Sequence, residues 1–417
     1  MPELEIESMT VGPFGVGHLA GKTVMVPNVV TGDVVDVRIK SERRDYAVAE
    51  LERIVRPGPG RRQPPCPFLP RCGGCDWQQI SYQAQLELKS RLIASELSRA
   101  TGVSVSHENL IVPATAEFGY RSRIRLQVGA DGKLGFHELG SDRLVEIDHC
   151  LVAEEGIELA PARKLAKIFG RRCREIELVG NRGKQILVVD VDQLPQPKAI
   201  ADARQMLEQD ATCAGIIVRA QRSRLLIGEA LTDVELEEGL TLEVEADAFS
   251  QVNHAQNRKL IALVMKMAGV TSGTVILDLF CGAGNFSLPA ARRGADVLGV
   301  DTDPIAIAAA TRNAARMGLS SARFVAMEAA EMARFLRRAR YRPQVVILDP
   351  PRSGARELIS LLRELNPACV IYVSCDVSTL ARDLRSLLAG GYAVDRVQAV
   401  DFFPNTHHLE IAVRALD

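Results

Sequence analysis

The 417-residue chain has no stretch of 18 or more apolar residues, so no segment reads as a membrane-spanning helix. Its first 25 residues have neither the basic segment nor the apolar core of a secretory leader. The expectation is a cytoplasmic protein with no membrane partner. Excess charge is lacking as well. Fifty-one Lys and Arg against 52 Asp and Glu leave a formal net charge of −1, which excludes inferring a nucleic-acid partner from global charge. Any phosphate-binding surface must be local. Nine cysteines, an odd count without secretory context, argue against a disulfide framework and for metal or catalytic duty. With 47% hydrophobic and 25% charged residues, what remains is a soluble globular chain long enough for two or three domains.

Three textures divide the chain, and they predict domains at 1–60, 61–245 and 246–417. From Leu4 to about Arg56, short alternating runs (Leu4 to Glu7, Thr23 to Val26, Asp33 to Ile39) separated by Gly12, Gly15, Gly17 and Gly21 predict a small antiparallel β-barrel. Pro57 to Pro65 suits neither strand nor helix and reads as a linker. The middle region holds a helical stretch from Tyr82 to about Ala100, followed by further strands. One of them, Tyr120 to Val128, places Arg121, Arg123 and Arg125 on a single face. Together with Arg61, Arg62 and Arg71, these arginines are expected to form a phosphate track.

The last third alternates strands and helices. Val275 to Phe280, Ala295 to Asp301, Val345 to Asp349 and Cys369 to Cys375 are continuous apolar runs, as expected of strands buried on both faces of a mainly parallel, doubly wound sheet. In such sheets the ligand lies beyond the carboxyl ends of the strands, at a glycine-rich turn. Asp278 to Gly284 is that turn, and Asp301, ending the next strand, suits two ribose hydroxyls. A nicotinamide-binding domain would show Gly-x-Gly-x-x-Gly; here only Gly282 and Gly284 pair, which favours S-adenosylmethionine.

Cys66, Cys72 and Cys75 are clustered, and Cys150 lies in Asp148-His149-Cys150. Four thiolates can enclose one tetrahedral zinc or a four-iron four-sulfur cluster, and spacing does not choose between them. Cys173, Cys213, Cys281 and Cys369 read as structural.

Nearly the whole chain resembles the RNA uracil-5-methyltransferase family. The matching pieces are Phe249 to Asn253, Asp278 to Gly284, Asp349-Pro350-Pro351-Arg352, Ser374-Cys375-Asp376 with Thr379 to Asp383, and Phe403 to Glu410. The resemblance implies a class I methyltransferase domain behind a TRAM-like RNA-binding barrel and a central iron-sulfur domain. It implies that Gln251, Phe280, Asp301 and Asp349 contact the methyl donor or the target base, that Cys375 is the nucleophile and that Glu410 is the base. It also favours a four-iron four-sulfur cluster on Cys66, Cys72, Cys75 and Cys150, with zinc the alternative, and it points to large-subunit (23S) ribosomal RNA ahead of transfer RNA. The chain departs from the family pattern at Asp376-Val377, where Asn-Pro is common, and at Ser250, where an aromatic is usual.

The chemistry explains the residue types. Carbon 5 of uracil becomes nucleophilic only after a thiolate adds to carbon 6, and a base must then remove the carbon 5 proton. Free cysteine has a pKa of about 8.5, so Cys375 needs an electropositive neighbour, for which Arg352 and Arg382 are candidates. The expected activity is methyl transfer from S-adenosylmethionine to carbon 5 of an RNA uridine by a monomeric enzyme. The rivals are an RNA-binding iron-sulfur redox or sensor protein, which leaves Cys375, Asp349 and Glu410 unexplained, and a transfer-RNA uridine or RNA cytidine-5 methyltransferase, which shares the thiolate logic.

Overall fold

The computed structural model describes residues 3–221, 223–339 and 341–417. Six strands between Glu3 and Arg56 form one curled sheet, in the order Glu3–Glu5, Val34–Glu42, Tyr46–Arg56, Lys22–Pro27, Phe14–Leu19, Ser8–Met9. Alternation puts Leu4, Val24, Val26, Val35 and Val37 inside it. The Pro57 to Pro65 segment has no helix or strand, yet it is fastened down. Asp33, buried just before the strand Val34–Glu42, accepts from Gly58 N (2.8 Å) and pairs with the Arg61 guanidinium (2.6 Å).

The central region is built on a seven-stranded sheet, ordered Leu144–Glu146, Leu134–His137, Arg123–Val128, Cys173–Asn181, Lys184–Val191, Cys213–Ala220, Ser223–Gly228. The helices Leu159–Phe169 and Pro197–Gln209 contribute to its core with Ile124, Leu126, Leu178 and Val189. Cys173 and Cys213 are buried in that core, as expected for structural thiols.

The last layer is an eight-stranded sheet: Ala322–Ala326, Asp296–Asp301, Val275–Leu279, Val345–Leu348, Cys369–Ser374, Glu410–Leu416, Ala393–Val400, Ile111–Val112. The first five strands are parallel, and Glu410–Leu416 runs antiparallel to both of its neighbours. The start of that strand therefore lies beside the carboxyl end of Cys369–Ser374, with Ser374 opposite Ile411.

Packing crosses the expected borders at 60/61 and 245/246. The edge strand Ile111–Val112 and the helix Tyr82–Thr101 belong with the last layer: Ile93, Leu97 and Leu110 share a core with Leu380 and Leu384. The two-stranded sheet Leu231–Glu237 and Leu240–Glu245 also packs there, through Val234, Leu242 and Val244. The reason is apolar area. Tyr82–Thr101 ends at Gly102 in the left-handed conformation and offers a face that the parallel sheet buries, each fully covered Leu or Ile contributing about 1.5–3 kcal/mol. Among the described residues no helix is long and apolar enough to cross a membrane.

Candidate active site

Cys375 occupies an elbow between a strand and a helix. The strand Cys369–Ser374 ends one residue before it and the helix Val377–Leu388 begins two residues after it. Ser374 Oγ accepts from Asp376 N (3.1 Å) and donates to Asp376 O (3.0 Å), which tightens the turn. Asp376 caps the helix by accepting from Thr379 N (2.8 Å). The departure from Asn-Pro thus has a local role, since a carboxylate caps as well as an amide. Burial, followed by the Glu410 carboxylate, pushes the Cys375 thiol up to about 11; Asp349 adds to the rise and the Arg352 guanidinium opposes it. Arg352 is therefore the cation at the thiol. Arg382 instead pairs with Asp383 (2.8 Å) and donates to Ser353 O (2.8 Å).

The loop carrying Asp349 and Arg352 is held from beneath. Buried Asp383 accepts from Ala355 N (2.8 Å) and from Tyr372 Oη (2.8 Å), and Tyr372 Oη also accepts from Ala355 N (3.0 Å). Gly354 has φ +79°, and a Cβ there would lie 2.5 Å from both Arg382 and Asp383, so only glycine lets the loop close over this pair.

Glu410 opens the last strand opposite Val400 and is buried. Burial, then the neighbouring Asp349 carboxylate, raises it well above the ordinary carboxylate range, opposed by Arg352. Burial alone holds Asp349 at about 7. Cys375, Glu410, Asp349 and Arg352 therefore share one electrostatic site at the carboxyl end of the sheet.

The glycine turn lies at the same end. Phe280 has φ +62°, a conformation that costs an aromatic residue about 1–3 kcal/mol and that the Val275–Leu279 strand end imposes. At Gly282, φ +53°, nothing lies within 4 Å of where a Cβ would point, which leaves bare backbone for a ligand. Burial pushes Asp278 up to about 7, helped by Asp349 and Asp301 and opposed by the Ser287 hydroxyl; its Oδ1 is buried without a partner. Asp301 accepts from Gly282 N and Asp303 N, both at 2.9 Å. One bond per oxygen leaves a further acceptor position on each, enough for a diol. A sulfonium cation fits this cluster of acids.

Gln251 lies in the segment between Glu245 and the helix His254–Ala268. Val252 O accepts from Ser122 N (2.8 Å), and Asn253 Nδ2 donates to Phe402 O (2.9 Å). The strap thus spans the central sheet and the loop before Glu410. Gln251 is half-buried with no hydrogen bond from its side chain among the described residues, while Phe249 is 79% exposed.

Cys66, Cys72, Cys75 and Cys150 line one small cavity together with Phe68, Arg121 and His149. Burial raises Cys72 and Cys150 and pushes Cys75 up to about 12. The four thiols converge, but among the described residues no group of three or more His, Cys, Asp or Glu is set to hold a metal ion. All nine cysteines are free.

Of the arginines expected to form a phosphate track, Arg61, Arg62, Arg123 and Arg125 make ion pairs within the protein. Arg125 pairs with Glu175 (3.2 Å) and Glu177 (3.4 Å), and Arg123 with Glu177 (3.6 Å) and Ala246 O (2.9 Å). Arg62 is tied to Glu117 (2.7 Å) and Asn405 (2.6 Å). Antiparallel register sets Glu177 opposite Arg125, so Arg123 and Arg125 find acidic partners across the sheet. The sequence offered Arg352 and Arg382 alike as the cation near Cys375 and gave no sign of Asp76 or Gln85. The signal for Arg352 was its place directly after Asp349-Pro350-Pro351.

Comparison with known proteins supports the same reading. The profile of the family described as tRNA (Uracil-5-)-methyltransferase matches residues 190–415. A 23S rRNA (uracil(1939)-C(5))-methyltransferase RlmD of Shewanella amazonensis is 34% identical over 95% of this chain and 91% of its own length. An uncharacterized RNA methyltransferase of Gloeobacter violaceus is 31% identical over 97% and 94%. The crystal structure of Pyrococcus abyssi tRNA (uracil-54, C5)-methyltransferase, in complex with S-adenosyl-L-homocysteine, superposes with a TM-score of 0.78 at 26% identity over 99% of both chains. The mixed α/β fold is thus that of a methyltransferase, and the chain belongs to the tRNA (uracil-5-)-methyltransferase family.

Proposed function

We propose that this enzyme transfers the methyl group of S-adenosylmethionine to carbon 5 of a uridine in 23S ribosomal RNA through a covalent adduct on Cys375. One observation carries the reading: Cys375, Glu410, Asp349 and Arg352 share a site at the sheet end that also holds the glycine turn. The Cys375 thiolate adds to carbon 6, and the electron pair moves to an enolate across carbon 5 and oxygen 4. Carbon 5 attacks the sulfonium methyl, and S-adenosylhomocysteine leaves. Glu410 takes the carbon 5 proton, the carbon 6–sulfur bond breaks, and the thiolate returns. A buried carboxylate of raised pKa accepts a proton more readily than an exposed one, which suits Glu410 to that step. Arg352 stabilises the thiolate, and Asp301, Asp278 and Gly282 receive the donor. Gln251 and Phe249 are taken to meet the flipped base, stacking and edge hydrogen bonds giving selectivity.

Ribosomal RNA is favoured because the relatives at 34% identity carry that activity in their names. The second reading, transfer RNA, rests on the likeness to the Pyrococcus enzyme. The test is nucleoside mass spectrometry on separated ribosomal and transfer RNA lacking 5-methyluridine, incubated with enzyme and S-adenosylmethionine. New 5-methyluridine in the large-subunit fraction alone is the expected result. Its appearance in transfer RNA overturns the substrate, and 5-methylcytidine overturns the base.

The curled sheet of residues 3–56 is read as a TRAM-like RNA-binding module, and the four-cysteine cavity as the seat of a four-iron four-sulfur cluster. Four sulfur donors around one cavity match that donor set, and zinc is the alternative. Cys66, Cys72, Cys75 and Cys150 would hold such a cluster, which would tie the linker region to Cys150; methyl transfer needs no electron from it. Cys72→Ser is expected to remove iron and acid-labile sulfide together and to weaken RNA binding in a filter assay. Fully active protein without iron would exclude the assignment.

A further inference from the structure

Residues 401–409 have neither strand nor helix, yet they carry the chain into Glu410. Much of what holds them comes from residues more than 280 positions earlier. Buried Lys89 pairs with Asp401 (2.6 Å) and donates to Phe403 O (3.2 Å), and Tyr120 Oη donates to Pro404 O (3.0 Å). Gln85 Oε1 accepts from Asn405 N (2.8 Å), and Trp77 N donates to Asn405 O (3.0 Å). The last grip before Glu410 is made by Asp76, which directly follows Cys75. One Asp76 oxygen accepts from His407 N (3.0 Å), and the other bonds the His407 ring at Nδ1. The His407 and His408 rings lie tilted against each other with centroids 4.0 Å apart, and His408 makes an edge-to-face contact with Phe403.

We infer that Asp76 is a positioning residue for the catalytic base: by fixing His407 at both backbone and ring, it sets where Glu410 stands relative to carbon 5. The inference rests on the reading of Glu410 as that base. Two features separate it from a general structural role. The bidentate grip falls three residues before Glu410, in a segment with no secondary structure of its own to hold its course. The nucleophile, by contrast, is held by Ser374, Asp376 and Thr379, none of which hydrogen-bonds Asp76 or His407 among the described residues. Loosening the grip therefore misplaces the base and leaves addition and methyl transfer intact. The product of that imbalance is an enzyme–RNA adduct that has gained its methyl and kept its carbon 5 proton.

The test uses full-length Asp76→Ala and Asp76→Asn with 23S RNA substrate, read by steady-state kinetics and by denaturing gel. Asp76→Ala is expected to lower kcat about 10²-fold, the scale of a misplacement near 1 Å. KM for RNA should stay within about threefold, because no binding group is removed. A detergent-stable RNA–protein band carrying the transferred methyl should accumulate, less so in Asp76→Asn, which keeps one oxygen for His407 N. Undiminished kcat, or loss of kcat without the band, overturns the inference. Should Asp76→Ala fail to fold, His407→Ala carries the same expectation with the cysteine loop untouched. Glu410→Gln run alongside separates the two levels: if it turns over normally without the band, the base assignment fails and this inference with it.

Discussion

Cys375→Ala protein transfers no methyl group at a rate distinguishable from background, a fall of roughly 10⁴- to 10⁶-fold, as when a covalent nucleophile is removed. The size follows from the chemistry. Without addition to carbon 6, carbon 5 has no developed negative charge, and positioning the donor beside it cannot substitute. The proposed donor site of Asp278, Asp301 and Gly282 has no hydrogen bond to the thiol among the described residues, so binding of S-adenosylmethionine should be unchanged by calorimetry. Retained turnover would remove the covalent mechanism. The wild-type thiol adds a pH signature. With the thiol at about 11, the free enzyme is protonated at neutral pH, and its thiolate fraction rises with pH. Between pH 7 and 9, kcat/KM should climb about tenfold per unit, since that parameter reports the free enzyme. Arg352→Ala removes the one influence that lowers the thiol and should reduce kcat/KM across the whole range.

Glu410→Gln should show a different failure. The amide keeps the shape of the side chain but cannot take a proton, so addition and methyl transfer proceed and elimination stalls. Turnover is expected to drop about 10²- to 10⁴-fold, the usual scale of general-base catalysis. An RNA–protein band that survives denaturation should form only when S-adenosylmethionine is present. The fold is not at risk. A carboxyl whose folded pKa is raised contributes stability at low pH and loses it as pH rises through that value. Removing its charge therefore leaves the melting temperature at pH 8 equal or higher. A lower melting temperature without the band would make Glu410 a structural residue.

Much of this site was written in short spans of sequence. Apolar runs such as Val345 to Leu348 announced buried parallel strands because two covered faces admit only apolar side chains. The glycine turn was legible because Gly282 and Gly284 take backbone angles that other residues avoid. The helix Tyr82–Thr101 followed from its apolar spacing, although its buried polar face, Gln85 and Lys89, did not. Those side chains are buried because Asn405 and Asp401 meet them, partners more than 300 positions away.

Tertiary structure decided the rest. Reversal of the final strand, a matter of sheet pairing, set Glu410 beside Cys375; apart from the family resemblance of Phe403 to Glu410, nothing near it in the sequence distinguishes it from an exposed charge before a strand. The choice of Arg352 over Arg382 was made by Asp383, which captures the latter. Cross-strand register gave Arg123 and Arg125 the acidic partners Glu175 and Glu177. Periodicity and turn chemistry act over a few residues and can be read along the chain, whereas charge pairing and register depend on which distant segments the core brings together.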